Sequence, residues 1–200
     1  MKNMILTNGF YEVPRGKIAA VVTYLEMHEK PATRPAPTEV CWRLAAVEQP
    51  EIEWYRDLFR RVGEDWLWFS RLLLSDDELQ GILKHPDIVF YALQLEGQDE
   101  GILELDFRKE GECELAFFGI SPKLLGRGAG RWMMNQALDL AWSRPIKRLW
   151  LHTCTLDHPQ ALTFYQRSGF TPYRREVEVA DDPRLIGKAP PYAAAHVPII

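Results

Sequence analysis

The sequence predicts an α/β fold, and three observations predict it. From residue 41 onward, the elements read as strand, helix, helix, three strands, helix, strand, helix and a β-rich tail. Residues 114–139 run from an apolar strand through a glycine-rich turn straight into an amphipathic helix. Residues 148–170 repeat that succession, with a buried-looking strand, a turn and a second helix.

Taken in order, Asn8-Gly9 and Pro14-Arg15-Gly16 read as turns. Residues 17–27 (KIAAVVTYLEM) are rich in β-branched and aromatic side chains and read as a strand. Pro31, Pro35 and Pro37 make 29–38 a linker or an extended edge segment. A short strand follows at 41–47. Residues 1–40 thus extend the sheet or, alternatively, carry a homodimer contact. Pro50 opens a helix whose buried stripe is Ile52, Tyr55, Leu58, Phe59 and Val62, with Gly63 as its C-terminal cap. Residues 65–74 (DWLWFSRLLL) line a pocket or fill core, and core is the favoured reading. Ser75-Asp76-Asp77-Glu78 is a capping box for a short helix that stops before His85-Pro86. Residues 88–96 and 101–108 are strands joined by a turn at 97–100, and 109–112 turns the chain into the strand 115–120, which Ser121-Pro122 ends. After the glycine-rich turn, Ala129, Trp132, Met133, Ala137, Leu140 and Ala141 recur at helical spacing. Residues 148–155 form another strand. In the helix after it, Pro159 suits the first position and Gly169 the C-terminal cap.

Composition narrows the function classes. The chain has 200 residues, 46% hydrophobic and 26% charged, which suits one soluble domain with a sizeable core. A formal net charge of −4 without a basic stripe argues against a nucleic-acid partner. No apolar run approaches the roughly 18 residues of a membrane span, and no basic stretch followed by an apolar one opens the sequence. Cys41, Cys113 and Cys154 lack any C-x-x-C spacing and read as reduced, mostly buried thiols. Cytoplasm is the expected location, and no metal site is expected.

The glycine-rich turn is Leu125-Gly126-Arg127-Gly128-Ala129-Gly130. Glycines at a helix start let a ligand approach backbone N–H groups at the positive end of the helix dipole, a cradle for a diphosphate. A Walker loop requires Gly-Lys-Ser/Thr, which is absent, and a dinucleotide fingerprint would need glycine at Arg131. What fits is Q/R-x-x-G-x-G/A, with Gly128 and Gly130 in place and Leu125 at the Gln/Arg position. Downstream, Ala161, Tyr165, Gly169 and Phe170 fit N-x-x-A-x-x-x-Y-x-x-x-G-F, with His158 at the Asn position. In this order, and with a strand between them, the two motifs resemble the GNAT N-acetyltransferase superfamily.

The resemblance covers roughly 41–175, leaving 1–40 as an N-terminal strand and Pro-rich extension and 176–200 as a tail, within one acetyltransferase domain over 1–200. It implies a mixed central β-sheet splayed at the fourth strand of the family core and flanked by helices. It implies acetyl-CoA as cosubstrate and a primary amine, on a small molecule or a peptide, as acceptor. The pantetheine arm would pair with backbone of Phe118, Gly119 and Ile120, the N–H of Ile120 serving as oxyanion donor. The diphosphate would lie on Leu125, Gly126, Arg127, Gly128, Ala129 and Gly130, and His158 would contact the cofactor. An alkylamine of pKa ~10.4 is under about 1% neutral at pH 7, so its proton must be removed. Glu104, Asp106, Glu112 and Glu114 are the candidate bases, Glu114 first among them. Tyr165 is the candidate acid for the departing thiolate, ahead of His152 and His158. Because Leu125 and His158 depart from pattern, a non-catalytic acyl-CoA-binding or regulatory domain is the alternative. The irregular residues 181–200 would close over the acceptor side or pack as a tail.

Overall fold

The computed structural model describes residues 6–200. Its strands are β1 (Lys17–Met27), β2 (Trp42–Val47), β3 (Ile88–Leu95), β4 (Gln98–Asp106), β5 (Glu112–Ile120), β6 (Arg148–Cys154) and β7 (Thr171–Asp181). The α-helices are α1 (Ile52–Gly63), α2 (Ser70–Leu73), α3 (Asp76–Leu83), α4 (Ala129–Ala141) and α5 (Ala161–Arg167). All seven strands form one sheet in the order β2-β3-β4-β5-β6-β1-β7. Among the described residues, only the β5–β6 pair is parallel. Helices cover the middle of the sheet on both faces. Met134, Ala137, Leu138 and Ala141 of α4 pack on Leu103, Leu105, Leu115 and Leu149. On the opposite face, Tyr55, Leu58, Phe59 and Val62 of α1 pack with Leu79 and Leu83 of α3 on Ile88, Phe90 and Ile102.

β1 has the bounds its composition predicts, but it lies inside the sheet, between β6 and β7. The Pro-rich stretch after it is not a sheet edge; it runs extended over α4, to which Lys30 is tied by Asp139 at 2.7 Å. The capping box is made in both directions, Ser75 N–H to Glu78 Oε2 at 2.8 Å and Glu78 N–H to Ser75 Oγ at 3.3 Å. The β3–β4 hairpin is tighter than predicted. Glu96 and Gly97, with φ of 51° and 81°, make a two-residue turn whose twist matches the strands. Gly63 ends α1 at a negative φ, so it is no left-handed cap. A Cβ there would fall 2.4 Å from that of Trp68, and the missing side chain lets Trp68 fold back on the helix. α5 begins after Gln160, so Pro159 precedes the helix.

The tail is held by one buried cation. Arg184 donates to Asp182 Oδ1 at 2.9 Å and Oδ2 at 2.7 Å, and its Nη1 reaches the carbonyls of Ala193 at 3.2 Å and Val197 at 2.8 Å. Ala193 and Ala194 are thereby packed on Ile18, Ala20, Leu67 and Leu156. The hydrogen bonds from Arg184 hold the Asp182 carboxyl below its usual range, against burial. Its contribution to stability is therefore present above the unfolded carboxylate value and lost as pH falls through the folded one. Arg184→Ala strands a buried carboxylate, and should lower unfolding free energy by about 3–5 kcal/mol in a denaturant titration. A loss below about 0.5 kcal/mol would mean the tail is held by something else.

Candidate active site

β5 and β6 share only three pairs, Glu112↔Arg148, Cys113↔Leu149 and Glu114↔Trp150, and then separate. The register between β4 and β5 shifts at Glu104/Leu105, leaving Ala116 as an extra residue that bends β5 away from β6. Past the bulge, Ser121 N–H donates to Glu100 O at 2.7 Å. Alternation along an antiparallel ladder then directs the N–H groups of Phe117 and Gly119 to β4, and those of Phe118 and Ile120 into the gap. Gly119 is needed for space. A Cβ there would lie 2.5 Å from Val62 Cγ1 and 2.8 Å from Trp68 Cη2, so its absence lets α1 and Trp68 close on β5.

The glycine turn sits at the end of that gap. Gly128 is the N-cap of α4 at φ 81°, with no side-chain cap. The N–H groups of Ala129, Gly130 and Arg131 consequently have no acceptor within the helix. Leu125, at the Gln/Arg position of the motif, is 47% exposed. The space over Gly128 is taken by Pro37, whose Cγ would be 2.7 Å from a Cβ. The glycine is thus fitted to the Pro-rich segment as well as to an open helix end. Gly126 and Gly130 line the gap, while Arg127 is exposed beside it.

A cavity of about 600 Å³ opens from the gap between the sheet, α5 and residues 65–71. Trp66, Trp68, Phe69 and Arg71 are part of its wall while Leu67 and Leu72 are buried core, so this stretch serves both pocket and core. Of the four carboxylates proposed as bases, three are engaged. Glu104 is fully buried, accepting from Tyr55 at 2.6 Å and Arg71 at 2.5 Å. Burial raises its pKa, and Arg71 opposes that rise. Asp106 is gripped by Arg108 at 2.8 Å and 2.5 Å, which holds it below the usual carboxylate range despite burial. Glu112 pairs with Lys109 at 2.7 Å and Arg148 at 2.9 Å. Glu114 faces the cavity with the imidazole of His152 3.7 Å away. The Glu114 carboxylate beside it pushes His152 above the ordinary histidine value.

Tyr165 lines the same cavity from α5, its ring edge-on to Phe118 and Phe170 at 6.3 Å and 6.2 Å between centroids. Burial, reinforced by the charge of Asp157, pushes its hydroxyl well above the ordinary tyrosine value, so it stays protonated. His158 lines the cavity too, but its Nδ1 accepts the Gln160 N–H at 3.1 Å and its ring stands edge-on to Trp66 at 5.0 Å. That makes it in part a helix-start residue. Sequence reasoning missed Asp157, which accepts from Trp68 Nε1 at 3.0 Å and from Cys154 N–H at 2.9 Å. It also missed Glu178, brought to the wall by β7. Cys154 borders the cavity with its thiol pushed up to about 11 by burial; Cys113 is buried and Cys41 exposed. Among the described residues, no group of three or more His, Cys, Asp or Glu is placed to hold a metal ion, and no helix is long and apolar enough to cross a membrane.

A family model for the acetyltransferase (GNAT) family matches residues 41–170. The chain is 30% identical over 116 residues to a mycothiol acetyltransferase of Beutenbergia cavernae, covering 58% of this chain and 33% of that protein. It therefore spans about a third of that relative's length. Its fold is shared with a GCN5-related N-acetyltransferase from Sphaerobacter thermophilus, at TM-score 0.58 and 14% identity over 84% of this chain and 53% of that one. An aminoglycoside acetyltransferase from an uncultured soil metagenomic sample is similar at TM-score 0.51 and 14% identity, over 64% of this chain and 87% of that one.

The Glu114–His152 contact gives a direct prediction. Proton NMR should show His152 titrating above the ordinary value of about 6.5, and Glu114→Gln should bring its midpoint down. An unchanged midpoint in the variant would place the carboxylate out of contact with the ring.

Proposed function

The chain belongs to the acetyltransferase (GNAT) family, and on that premise we propose that it is an N-acetyltransferase, moving the acetyl group of acetyl-CoA to a primary amine by direct attack. The observation that carries this reading is the β5–β6 gap, with the Phe118 and Ile120 amides turned into it. The uncapped start of α4 lies at one end of it, and Glu114 and Tyr165 border it. The orphaned amides of Ala129, Gly130 and Arg131 fit the diphosphate of a coenzyme A. Phe118, Gly119 and Ile120 would hold the pantetheine arm, and Leu125 to Gly130 with His158 would border its phosphates.

Acetyl-CoA supplies an acyl group activated as a thioester. The chain's own residues do the rest. Ile120 N–H, fixed by β4 pairing on its neighbours, would hold the carbonyl oxygen as it gains charge. Glu114, backed by His152, would take the proton of the attacking amine. Tyr165, kept neutral by its surroundings, would give a proton to the leaving sulfur. Glu114 and Glu178, with the faces of Trp66 and Trp68, support a cationic amine as acceptor. Three cysteines with no disulfide between them support a reducing compartment, the cytoplasm.

Acetyl-CoA should raise the melting temperature through binding, whereas NAD and ATP should not. Release of CoA should be seen with some member of an amine panel; binding with no turnover on any amine would favour a non-catalytic acyl-CoA-binding domain, the reading that the departures at Leu125 and His158 support. With an accepted amine, Tyr165→Phe should cut turnover by about 10²–10⁴ while acetyl-CoA affinity falls by less than about tenfold. A well-folded variant with turnover within about threefold of the parent would remove Tyr165 from the chemistry.

A further inference from the structure

The segment from Lys30 to Pro37 lies along α4 in the reverse direction, as a strap. Lys30 meets Asp139 at 2.7 Å, the carbonyl of Arg34 accepts from Asn135 Nδ2 at 2.8 Å, and Pro37 sits over Gly128. These contacts step up one ridge of the helix, from its last turns to its N-cap. At its middle the strap puts the side chain of Arg34 between α4 and α5, where its guanidinium donates to the Arg167 carbonyl. Arg131, one turn before Asn135, lies with its guanidinium over the Phe164 ring, 4.6 Å from the centroid. Neither guanidinium has a carboxylate partner among the described residues. Nη1 of Arg131 is enclosed with no acceptor at all. Burial, and after it the charge of Arg34, holds the Arg131 guanidinium below its usual value.

A part-buried guanidinium with a second cation beside it is stabilised when something negative joins them. We propose that Arg34 and Arg131 form a phosphate subsite that takes the ribose 3′-phosphate of coenzyme A, with the Lys30–Pro37 strap as its wall. The inference rests on the acetyl-CoA reading and deepens it. The amides of Ala129, Gly130 and Arg131 suffice for the diphosphate, and the remaining anionic group of a coenzyme A is the 3′-phosphate on its ribose. A phosphate monoester carries about −1.5 to −2 charge at pH 7, which two guanidiniums can neutralise. Stacking on Phe164 holds the plane of the Arg131 guanidinium, whose Nη1 has no acceptor in the fold. A cofactor lacking the 3′-phosphate would leave both cations as they stand now.

Calorimetric titration of the whole chain with CoA and with 3′-dephospho-CoA tests this. The parent should prefer CoA by about tenfold or more, the value of a charge-assisted contact, and the preference should shrink with added salt. Arg34→Gln and Arg131→Gln should each weaken CoA binding by about tenfold and leave dephospho-CoA binding within about twofold. Arg34 is exposed, so Arg34→Gln keeps the test open if Arg131→Gln does not fold. Equal affinity of the parent for both ligands, or equal losses for both in Arg34→Gln, would overturn the subsite and leave the cofactor reading intact. Binding of neither ligand by the parent would overturn the cofactor reading and the subsite with it.

Discussion

Where β5 and β6 part, backbone donors and acceptors that a continuous sheet would pair with each other are left facing a gap. Unpaired backbone groups are tolerated only if water or a ligand satisfies them, so the rest of the architecture follows from how that gap is kept open. The bulge at Ala116 bends β5, and Gly119 admits Val62 and Trp68 against it. Pairing with β4 continues past the bulge, so the strand cannot close back on β6. The start of α4 and the side chains of α5 then border a slot that no residue of the sheet fills.

The charges tell the same story by contrast. Buried carboxylates are answered within the fold: Glu104 by Arg71 and Tyr55, Asp106 by Arg108, Asp182 by Arg184. Such pairs offset desolvation and set geometry, and none needs a ligand. Two places differ. Glu114 has only a histidine beside it, and Arg34 and Arg131 have no anion. The first lies in the cavity by the strands, the second between α4 and α5 past the glycine turn. A molecule with a reactive end and a phosphorylated end suits that pair of imbalances.

The local elements were legible in the sequence. β1, the Ser75–Glu78 box and the strand–glycine–helix unit have their signals within a few residues, and all are found where those signals place them. The α/β class followed from the order of the elements, and the splayed sheet from the family resemblance that the two motifs carry. What was not legible is non-local. No pattern in residues 17–27 says that the strand inserts between β6 and β7, because register with a strand over a hundred residues away is a tertiary choice. Residues 65–71 read as core because Trp and Phe serve a pocket wall and a core alike. Glu104 and Glu114 are alike as sequence; only the arrival of Arg71 and Tyr55 makes one of them structural. Prolines announced an extended segment at 29–38 but not that α4 would be its bed.

We propose that the β5–β6 gap takes the pantetheine arm as a substitute strand. Amide hydrogen exchange followed by NMR, with and without acetyl-CoA, tests it at single residues. The Phe118 and Ile120 amides should exchange slowly only when acetyl-CoA is present, while those of Phe117 and Gly119, already bonded to β4, should be slow in both states. Saturating acetyl-CoA that left Phe118 and Ile120 exchanging as fast as in the free protein would contradict it.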